Sequence, residues 1–390
     1  MKKYDAVIAG YVCVDLIPAF KKNISVTDVY DVLKPGKLVE IDGLESTLGG
    51  VVANTGMAMK KFSKKVFLNG LIGTDFIGKI ARESLDKYKL SEGIRTITEK
   101  GTAFGLVIAP PGVDRIFLES PGCSELFDVQ HINYDAIADS RLFHFGYPPL
   151  LQKFYRQKGK QLTELFRKVD AMNVVTSLDF SLPDAESESG NVNWAEVLRQ
   201  TLPYTDIFVP SLEEALKMVF PYEYARLEAS DDAGDMIDKV PLDLIKELGE
   251  TLVAYGANIV LIKAAHRGLY LWTREVNSVN NKKTVHLQEQ QWNHRQLWCN
   301  AYHVEEEKVK NASGAGDTSA GAFLAAILDG ESPDTAMKFA AIAGRNNLYC
   351  NDIYAELNDW ETMMAEMNDE PNAVLNVCDL VTSSETEDNS

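Results

Sequence analysis

Basic residues and long apolar runs are both scarce in this sequence, and each scarcity argues against a class of protein. Lys and Arg number 39 against 57 Asp and Glu, which gives a formal net charge of −18. A chain with this balance repels phosphate backbones and anionic lipid, so we expect neither nucleic acid nor a membrane as a partner. No stretch approaches the roughly 18 uncharged apolar residues that a membrane-spanning helix requires.

The five cysteines are too few and too scattered to build a disulfide framework. No two of them have Cys-x-x-Cys spacing, and they occupy positions Cys13, Cys123, Cys299, Cys350 and Cys378. The six histidines show no His-Glu-x-x-His spacing, so a zinc hydrolase has little support. A Gly-x₄-Gly-Lys-Ser/Thr loop is absent as well, which argues against a P-loop kinase.

The N-terminal segment resembles a signal peptide only superficially. It carries a basic pair and an apolar run, but Asp5 and Asp15 interrupt that run and no small-residue cleavage site follows it. We therefore expect a cytoplasmic protein.

Short apolar runs alternate with helical stretches along most of the 390 residues. Four of these runs are typical of buried strands: RLFHFGY, VVTSLDF, DIFVPS and IVLIKAA. Such alternation predicts an α/β fold with a mostly parallel sheet covered by helices on both faces. Ligands then bind at the carboxyl ends of the strands.

Three segments near the N-terminus receive separate interpretations. Residues 5–17 read as one buried strand, and residues 21–48 read as an irregular excursion from the main fold. Residues 101–119 predict a hairpin around a Pro-Pro-Gly turn. We assign the excursion and the hairpin to a small sheet that forms a lid.

The most informative segment is residues 311–330, NASGAGDTSAGAFLAAILDG. Gly314, Ala315 and Gly316 lack bulk, so a phosphate can approach their backbone N–H groups. These residues lead into a helix, and a helix N-terminus has unpaired N–H donors and a partial positive charge. Asp317, in the first turn, can accept a proton from a hydroxyl nucleophile. This combination suits phosphoryl transfer to an alcohol.

A structural interpretation of the same segment has about equal weight when the segment is considered alone. The glycine turn would pack the helix against a strand, and Asp317 would only cap that helix. However, residues 320–328 are apolar nearly all round, so the helix must be buried. An acid at the head of a buried helix favours the functional interpretation.

Six segments, in order, resemble motifs of the ribokinase-like (PfkB) carbohydrate kinase family. They are GYVCVDLIP, GGVVAN, LNGLIGTDFIGK, IFVPSLEEA, LIKAAHRGLYL and NASGAGDTSAGAF, and they span about residues 5–350. The resemblance implies a three-layer α/β/α fold with a mostly parallel central sheet and a small β-sheet lid.

The resemblance also implies a domain organisation. Residues 1–370 would form the kinase domain, with the lid built from about 16–48 and 97–122. Residues 371–390 would be an acidic tail whose end is disordered. The lid would close over the substrate, and it would provide the contact of a homodimer.

Roles in catalysis and substrate binding follow from the matching positions. Asp317 would be the general base, and Gly314, Ala315 and Gly316 would donate N–H groups to the transferred phosphoryl group. The hydroxyl groups of a small-molecule sugar would be held by Asp15, Gly49, Gly50 and Asn54. Without the family context, Asp15 at a strand end would more simply be a turn-bonded carboxylate, and Asn54 only a helix cap.

Roles on the nucleotide side also follow from the resemblance. ATP would be contacted by Ser211, Glu214, Lys263, Gly268 and Asn347. Glu214 would in addition organise Mg²⁺ through water, and the implied cofactors extend to a monovalent cation such as K⁺.

Two of these positions depart from the family pattern. Ser211 stands where Asn is usual, so a contact from its side chain to phosphate or to Mg²⁺-bound water is in doubt. Lys263 stands where Thr is usual, and its charge can reach the ATP phosphates. An equally weighted alternative is a strand-end lysine that extends to solvent.

Three functions fit the sequence, and we predict the first, which is ATP-dependent phosphorylation of a hydroxyl group on a sugar or sugar-like molecule. The second is a nucleoside kinase, for which Phe104, Phe117 and Tyr147 would supply a base pocket. The third is a ligand-binding protein without catalysis. A substrate that already carries a phosphate would need a basic clamp, for which Arg115 is a candidate.

Overall fold

The secondary structure was obtained from a computed structural model that describes residues 2–21, 30, 33–110, 116–230 and 234–380. The strands of this part of the chain are β1 (Tyr4–Gly10), β2 (Cys13–Phe20), β3 (Ile41–Gly49), β4 (Val66–Gly73), β5 (Ile94–Ile97), β6 (Phe104–Ile108), β7 (Ile116–Ser120), β8 (Ser140–Gly146), β9 (Val175–Asp179), β10 (Ile207–Phe208), β11 (Ile259–Lys263), β12 (Leu269–Thr273), β13 (Gln296–Cys299) and β14 (Val374–Asn376).

Helices connect most of these strands. They are α1 (Gly50–Lys61), α2 (Phe76–Lys87), α3 (Tyr134–Ala138), α4 (Gln152–Asp170), α5 (Trp194–Thr201), α6 (Leu212–Val219), α7 (Pro221–Glu228), α8 (Leu242–Ala254), α9 (Asn277–Asn281), α10 (Glu289–Trp292), α11 (Ala315–Asp329), α12 (Pro333–Leu348), α13 (Ile353–Glu356) and α14 (Trp360–Asp369). No helix in the described ranges is long and apolar enough to cross a membrane.

The larger sheet has the strand order β14-β13-β12-β11-β10-β9-β8-β1-β4-β5. From β11 to β5 every neighbouring pair is parallel, whereas β12, β13 and β14 join one edge in antiparallel fashion. The prediction of an α/β fold with a mostly parallel sheet is therefore confirmed. The carboxyl ends of β8, β9, β10 and β11 lie side by side at one edge of the sheet.

The opening run does not form a single strand, so that prediction is wrong. The chain leaves the larger sheet at Gly10, whose φ is +130°, and an added Cβ there would lie 2.2 Å from the Gly146 carbonyl oxygen. Only glycine permits this close approach, and it separates β1 from β2. Asp15 consequently lies within β2, in the smaller sheet, and not at the end of β1.

The smaller sheet has the order β3-β2-β6-β7. β6 and β7 pair in antiparallel fashion, which confirms the predicted hairpin, although its turn at 111–115 lies outside the described residues. The prediction of an irregular segment over residues 21–48 is wrong for residues 41–48. These residues belong to β3, which pairs with β2 along the whole length of β2. Residues 22–29 and 31–32 lie outside the described residues.

The start of the C-terminal tail continues the fold. β14, within the predicted tail at 371–390, pairs with β13 at the edge of the larger sheet. Residues 381–390 are outside the described ranges, so the disorder expected at the end of the tail stays a prediction, as does the division into a kinase domain and a lid.

The centre of the fold brings α1 and α11 together. An added Cβ at Gly321 on α11 would lie only 3.2 Å from the Thr55 carbonyl oxygen on α1, so small residues permit the close approach of the two helices. Residues 320–328 are all buried, as their apolar pattern predicts. This packing places the first turns of both helices beside the carboxyl ends of the parallel strands.

Candidate active site

The glycine turn before α11 has the predicted form of a helix start. Gly314 is the N-cap residue, with φ +75° and ψ 2°, and α11 begins at Ala315. An added Cβ at Gly314 would also lie 3.0 Å from Asn54 Nδ2. Glycine is therefore required at position 314 both by its left-handed backbone and by the space that Asn54 occupies.

Asp317 is the third residue of α11, and its side chain is held by neutral donors. Asn54 Nδ2 donates a hydrogen bond to Oδ2 at 2.9 Å, and the Tyr147 hydroxyl lies 2.9 Å from both carboxylate oxygens. Burial raises the pKa of Asp317, while the nearby Lys263 ammonium and these two donors act in the opposite direction. The carboxylate is thus buried but kept able to accept a proton.

Lys263 does not extend to solvent, so the alternative of an exposed strand-end lysine is wrong. It is the last residue of β11, and its Nζ lies 2.9 and 2.8 Å from the two oxygens of Asp179, at the end of β9. The Lys263 side chain is 11% exposed and that of Asp179 is fully buried. Burial lowers the pKa of Lys263, but Asp179, Glu214 and Asp317 outweigh this effect and raise the pKa overall.

The Lys263 ammonium lies next to the first turn of α11. An added Cβ at Gly316 would be 3.7 Å from Nζ, without steric conflict. A cation therefore lies beside amides that lack partners within their own helix, because the first turn of a helix leaves its N–H groups unpaired. The Ala315 amide does donate a long hydrogen bond, of 3.4 Å, to the Ala312 carbonyl oxygen before the helix. Both features favour an anion at this position.

Ser211 and Glu214 form a capping box at the start of α6. The Glu214 amide donates to Ser211 Oγ at 3.2 Å, and the Ser211 amide donates to Glu214 Oε2 at 2.8 Å. Burial raises the pKa of Glu214 to about 8, although Lys263 acts in the opposite direction. The Ser211 hydroxyl is thus engaged in capping, and the Glu214 carboxylate belongs to the group of acids around Lys263.

Asp15 is enclosed by two glycines of the smaller sheet. An added Cβ would lie 2.6 Å from Asp15 Oδ2 at Gly49 and 3.0 Å from Oδ1 at Gly105. Burial raises the pKa of Asp15 to about 6, partly opposed by a hydrogen bond from the Cys13 thiol. Glycine is needed at position 50 for a separate structural reason. Its φ is +79°, and an added Cβ would lie 2.7 Å from the Tyr11 carbonyl oxygen.

A cavity of about 180 Å³ lies between β3, α1, α2 and the segment after α12. Asp15 and Asn54 line it together with Ser313, Asn347 and Asp352. A concave site with several convergent polar side chains suits a small hydroxylated ligand.

Asn347 and Gly268 have structural partners in the described chain. Asn347 Oδ1 accepts a hydrogen bond from Thr318 Oγ1 at 2.7 Å, and its Nδ2 donates to the Ser313 carbonyl oxygen at 2.9 Å. Asn347 therefore stabilises the glycine turn through these two hydrogen bonds. Gly268 has φ +83° in the tight turn between β11 and β12, where an added Cβ would lie 2.1 Å from the Cys299 carbonyl oxygen. Contact of either residue with nucleotide stays a prediction.

Sequence reasoning missed the roles of two residues in this cluster. Asp179 ends a buried parallel strand, and that position was the available signal. The sequence predicts Tyr147 only as part of a base pocket, yet its hydroxyl contacts Asp317. Of the other suggested residues, Phe104 lies on β6, while Arg115 and the Phe117 side chain lie outside the described residues. Among the described side chains, no group of three or more His, Cys, Asp or Glu is arranged to hold a metal ion directly.

Comparisons with known proteins identify one family. The model of the pfkB family carbohydrate kinases matches residues 5–348. A 5-dehydro-2-deoxygluconokinase from Clostridium perfringens is 23% identical over 351 residues, covering 87% of this chain and 86% of the relative.

Solved structures show the same fold. Ribokinase from Thermotoga maritima has a TM-score of 0.66 at 15% identity, covering 94% of this chain and 99% of the other. Arabidopsis thaliana ribokinase complexed with ribose and ATP has a TM-score of 0.64 at 15% identity, covering 93% and 98%. Because the family model spans most of the sequence, this chain belongs to the pfkB family of carbohydrate kinases.

Proposed function

We propose that this protein transfers the γ-phosphoryl group of ATP to a hydroxyl group of a sugar or sugar acid. The observation that carries the proposal is the position of Asp317. It lies at the head of a buried helix, beside a glycine turn and near the Lys263 ammonium. A proton acceptor and an anion site at the same point meet the two requirements of phosphoryl transfer to an alcohol.

Asp317 is the general base in this mechanism. It takes the proton of the acceptor hydroxyl while the hydroxyl oxygen bonds to the γ-phosphorus. The bond from that phosphorus to the bridging oxygen breaks, and ADP leaves with the electron pair. Asn54 and Tyr147 support this role because they orient the carboxylate without adding charge.

The anion site consists of the amides of Gly314, Ala315 and Gly316 together with Lys263. The open space at Gly316, with Lys263 Nζ 3.7 Å from an added Cβ, fits a phosphoryl oxygen. Developing negative charge on the transferred group would be stabilised there by fixed donors and a fixed cation. Mg²⁺ would neutralise the ATP phosphates, and Glu214 would hold it through water.

The sugar side of the site consists of Asp15, Asn54 and the cavity beside them. A buried carboxylate and an amide are suitable partners for pairs of sugar hydroxyls. The smaller sheet, which carries Asp15, would act as the lid and exclude water, which limits transfer of the phosphoryl group to water. Similarity to the Clostridium perfringens enzyme places 5-dehydro-2-deoxygluconate first among the acceptors to test.

The test is a coupled ADP-release assay with Mg-ATP against sugars, phosphosugars, sugar acids and nucleosides. A positive acceptor is then confirmed by ³¹P NMR of its phosphorylated product. We expect release with a sugar or sugar acid. Preferential phosphorylation of nucleosides would refute the acceptor class, and absence of ATP binding by calorimetry would refute the nucleotide site.

A further inference from the structure

The Tyr147 hydroxyl bridges the two oxygens of the Asp317 carboxylate. Its Oη lies 2.9 Å from Oδ1 and 2.9 Å from Oδ2. Burial raises the pKa of Tyr147 well above its ordinary value, and the acids around it act in the same direction, so the phenol stays protonated and donates. Tyr147 therefore supplies a neutral donor directly to the base.

The two oxygens of the Asp317 carboxylate accept different sets of hydrogen bonds. Oδ2 accepts from both Asn54 Nδ2 and the Tyr147 hydroxyl, whereas Oδ1 accepts only from Tyr147 among the described side chains. Each carboxylate oxygen has about two lone-pair directions. The phenol has a single proton, which the two oxygens share. Oδ2, which also accepts from the Asn54 amide, is therefore the more engaged oxygen, and Oδ1 is the freer of the two to receive a proton.

The backbone of Tyr147 is held in a conformation that the residue would not adopt by preference. Its φ is 65° and its ψ is 45°, in the left-handed region, and Pro148 follows it. A side chain disfavours this region, and a residue before proline is normally extended. The Tyr147 amide donates to the Asp179 carbonyl oxygen at 3.3 Å, and the ring stacks on Tyr11 with centroids 6.4 Å apart. The fold therefore maintains a strained backbone that presents this phenol to Asp317.

We propose that Tyr147 is a positioning residue for the catalytic base, holding the Asp317 carboxylate so that Oδ1 faces the acceptor hydroxyl. The proposal rests on the proposed function of Asp317. It adds that one identified oxygen takes the proton, and that a phenol outside the sequence motifs controls its orientation and basicity.

The charged groups around Asp317 determine what loss of the phenol would do. Lys263 faces Asp317 from β11, Asp179 from β9 and Asp15 from β2. None of these groups changes in a Tyr147→Phe variant, which loses only the donor. Because that donor favours the ionised carboxylate, its loss moves the pKa of Asp317 upward.

The decisive experiment is ¹³C NMR of the protein labelled at its aspartate carboxyl carbons. The Asp317 signal is assigned from Asp317→Asn, and its titration is followed in wild type and in Tyr147→Phe. Tyr4→Phe is a matched control, because the Tyr4 hydroxyl lies 3.2 and 3.3 Å from the two oxygens of Glu92 at the far end of the same sheet. We expect the midpoint to rise in Tyr147→Phe and to stay unchanged in Tyr4→Phe. An unchanged midpoint in Tyr147→Phe would overturn the proposal.

This readout does not need activity, so it separates the positioning role from the proposed reaction. With an acceptor identified, kcat of Tyr147→Phe falls by about tenfold or more, since a hydrogen bond to a charged group is lost. The acid limb of its kcat profile moves to higher pH while KM for ATP stays close to wild type. Unchanged kcat and acid limb would overturn the positioning role even if the NMR midpoint moved.

A second variant keeps the test independent of folding defects. Site-specific 3-fluorotyrosine at 147 retains the ring and strengthens the phenol as a donor. We expect the Asp317 midpoint to move to lower pH, opposite to the effect of phenylalanine. A shift in the same direction as phenylalanine would contradict the hydrogen-bond mechanism.

Discussion

Replacement of Lys263 by methionine tests the charge arrangement of the site. One ammonium lies among three acidic side chains, those of Asp179, Glu214 and Asp317. At the observed 2.8 Å, a pair of unit charges with an effective dielectric constant of 20 attracts by about 6 kcal/mol. Desolvation offsets part of this energy, and removal of one partner of a buried pair typically costs about 3–5 kcal/mol.

The two single variants of the pair differ in what they leave behind. Asp179→Asn leaves Lys263 facing two other acidic side chains and an amide oxygen, so we expect a loss of about 1.5–3 kcal/mol, the contribution of a hydrogen bond to a charged group. Lys263→Met leaves three buried acids without a cation, so its cost lies at about 3–5 kcal/mol or above. With an unfolding entropy near 2.1 cal/mol/K per residue and 390 residues, 4 kcal/mol corresponds to a Tm lowered by about 5 °C.

Differential scanning calorimetry of both variants measures this order directly. Lys310→Met is the control, because Lys310 pairs with Glu356 at the surface, with 46% and 35% of the two side chains exposed. Such a pair contributes less than about 1 kcal/mol. A loss in Asp179→Asn as large as in Lys263→Met would refute the reasoning, as would a stabilised Lys263→Met.

The same cluster gives stability a pH dependence. Burial raises the pKa of Asp179 from 3.8 to about 6 and that of Glu214 from 4.5 to about 8. The folded state then binds more protons than the unfolded state between the ordinary and the raised values, so stability falls as pH rises through that window. We expect Tm to fall from about pH 5 to about pH 8.5, less steeply in Glu214→Gln. A Tm that rises over this range would contradict the assignment.

Two glycine substitutions test the substrate side and the helix start. Gly49→Ala places a Cβ 2.6 Å from Asp15 Oδ2, so KM for the sugar rises at least about tenfold. Gly43→Ala is the control, because Gly43 lies in the same strand and a Cβ added there has no atom within 4 Å, so KM stays unchanged. Equal KM values in the two variants would contradict the role of Asp15. Gly314→Ala combines φ +75° with a Cβ 3.0 Å from Asn54 Nδ2, and the left-handed backbone alone costs about 1–2 kcal/mol. Urea unfolding and kcat should both show a loss, and wild-type values of both would contradict the proposed geometry of the turn.

The sequence was sufficient to predict the α/β class, the hairpin and the start of α11, because each depends on local pattern. Gly314 and Asp317 lie only three positions apart in the chain, so the turn and the acid can be recognised together. The division of residues 5–17 into two strands could not be predicted in the same way. It depends on the contact between Gly10 and Gly146, which are far apart in sequence.

The partners of Asp317 were harder to predict for a similar reason. Asn54, Tyr147 and Lys263 come from α1, the end of β8 and the end of β11, and only the parallel order of the strands places them together. Lys263 shows why burial cannot be predicted from a local sequence pattern. Its sequence position was equally compatible with an exposed lysine, and the buried carboxylate of Asp179 is what retains it in the site.

The most direct test of the account compares Asp317→Asn with Asp329→Asn. Asp329 ends the same helix, its side chain is 36% exposed, and it pairs with Lys64 instead of with the residues around Asp317, so it controls for the loss of an acid from α11. With the acceptor identified by ADP release, we expect kcat of Asp317→Asn to fall by about 10²- to 10⁴-fold, while ATP binding by calorimetry stays within about twofold of wild type. Near-normal turnover by Asp317→Asn would contradict the central claim that this carboxylate is the general base.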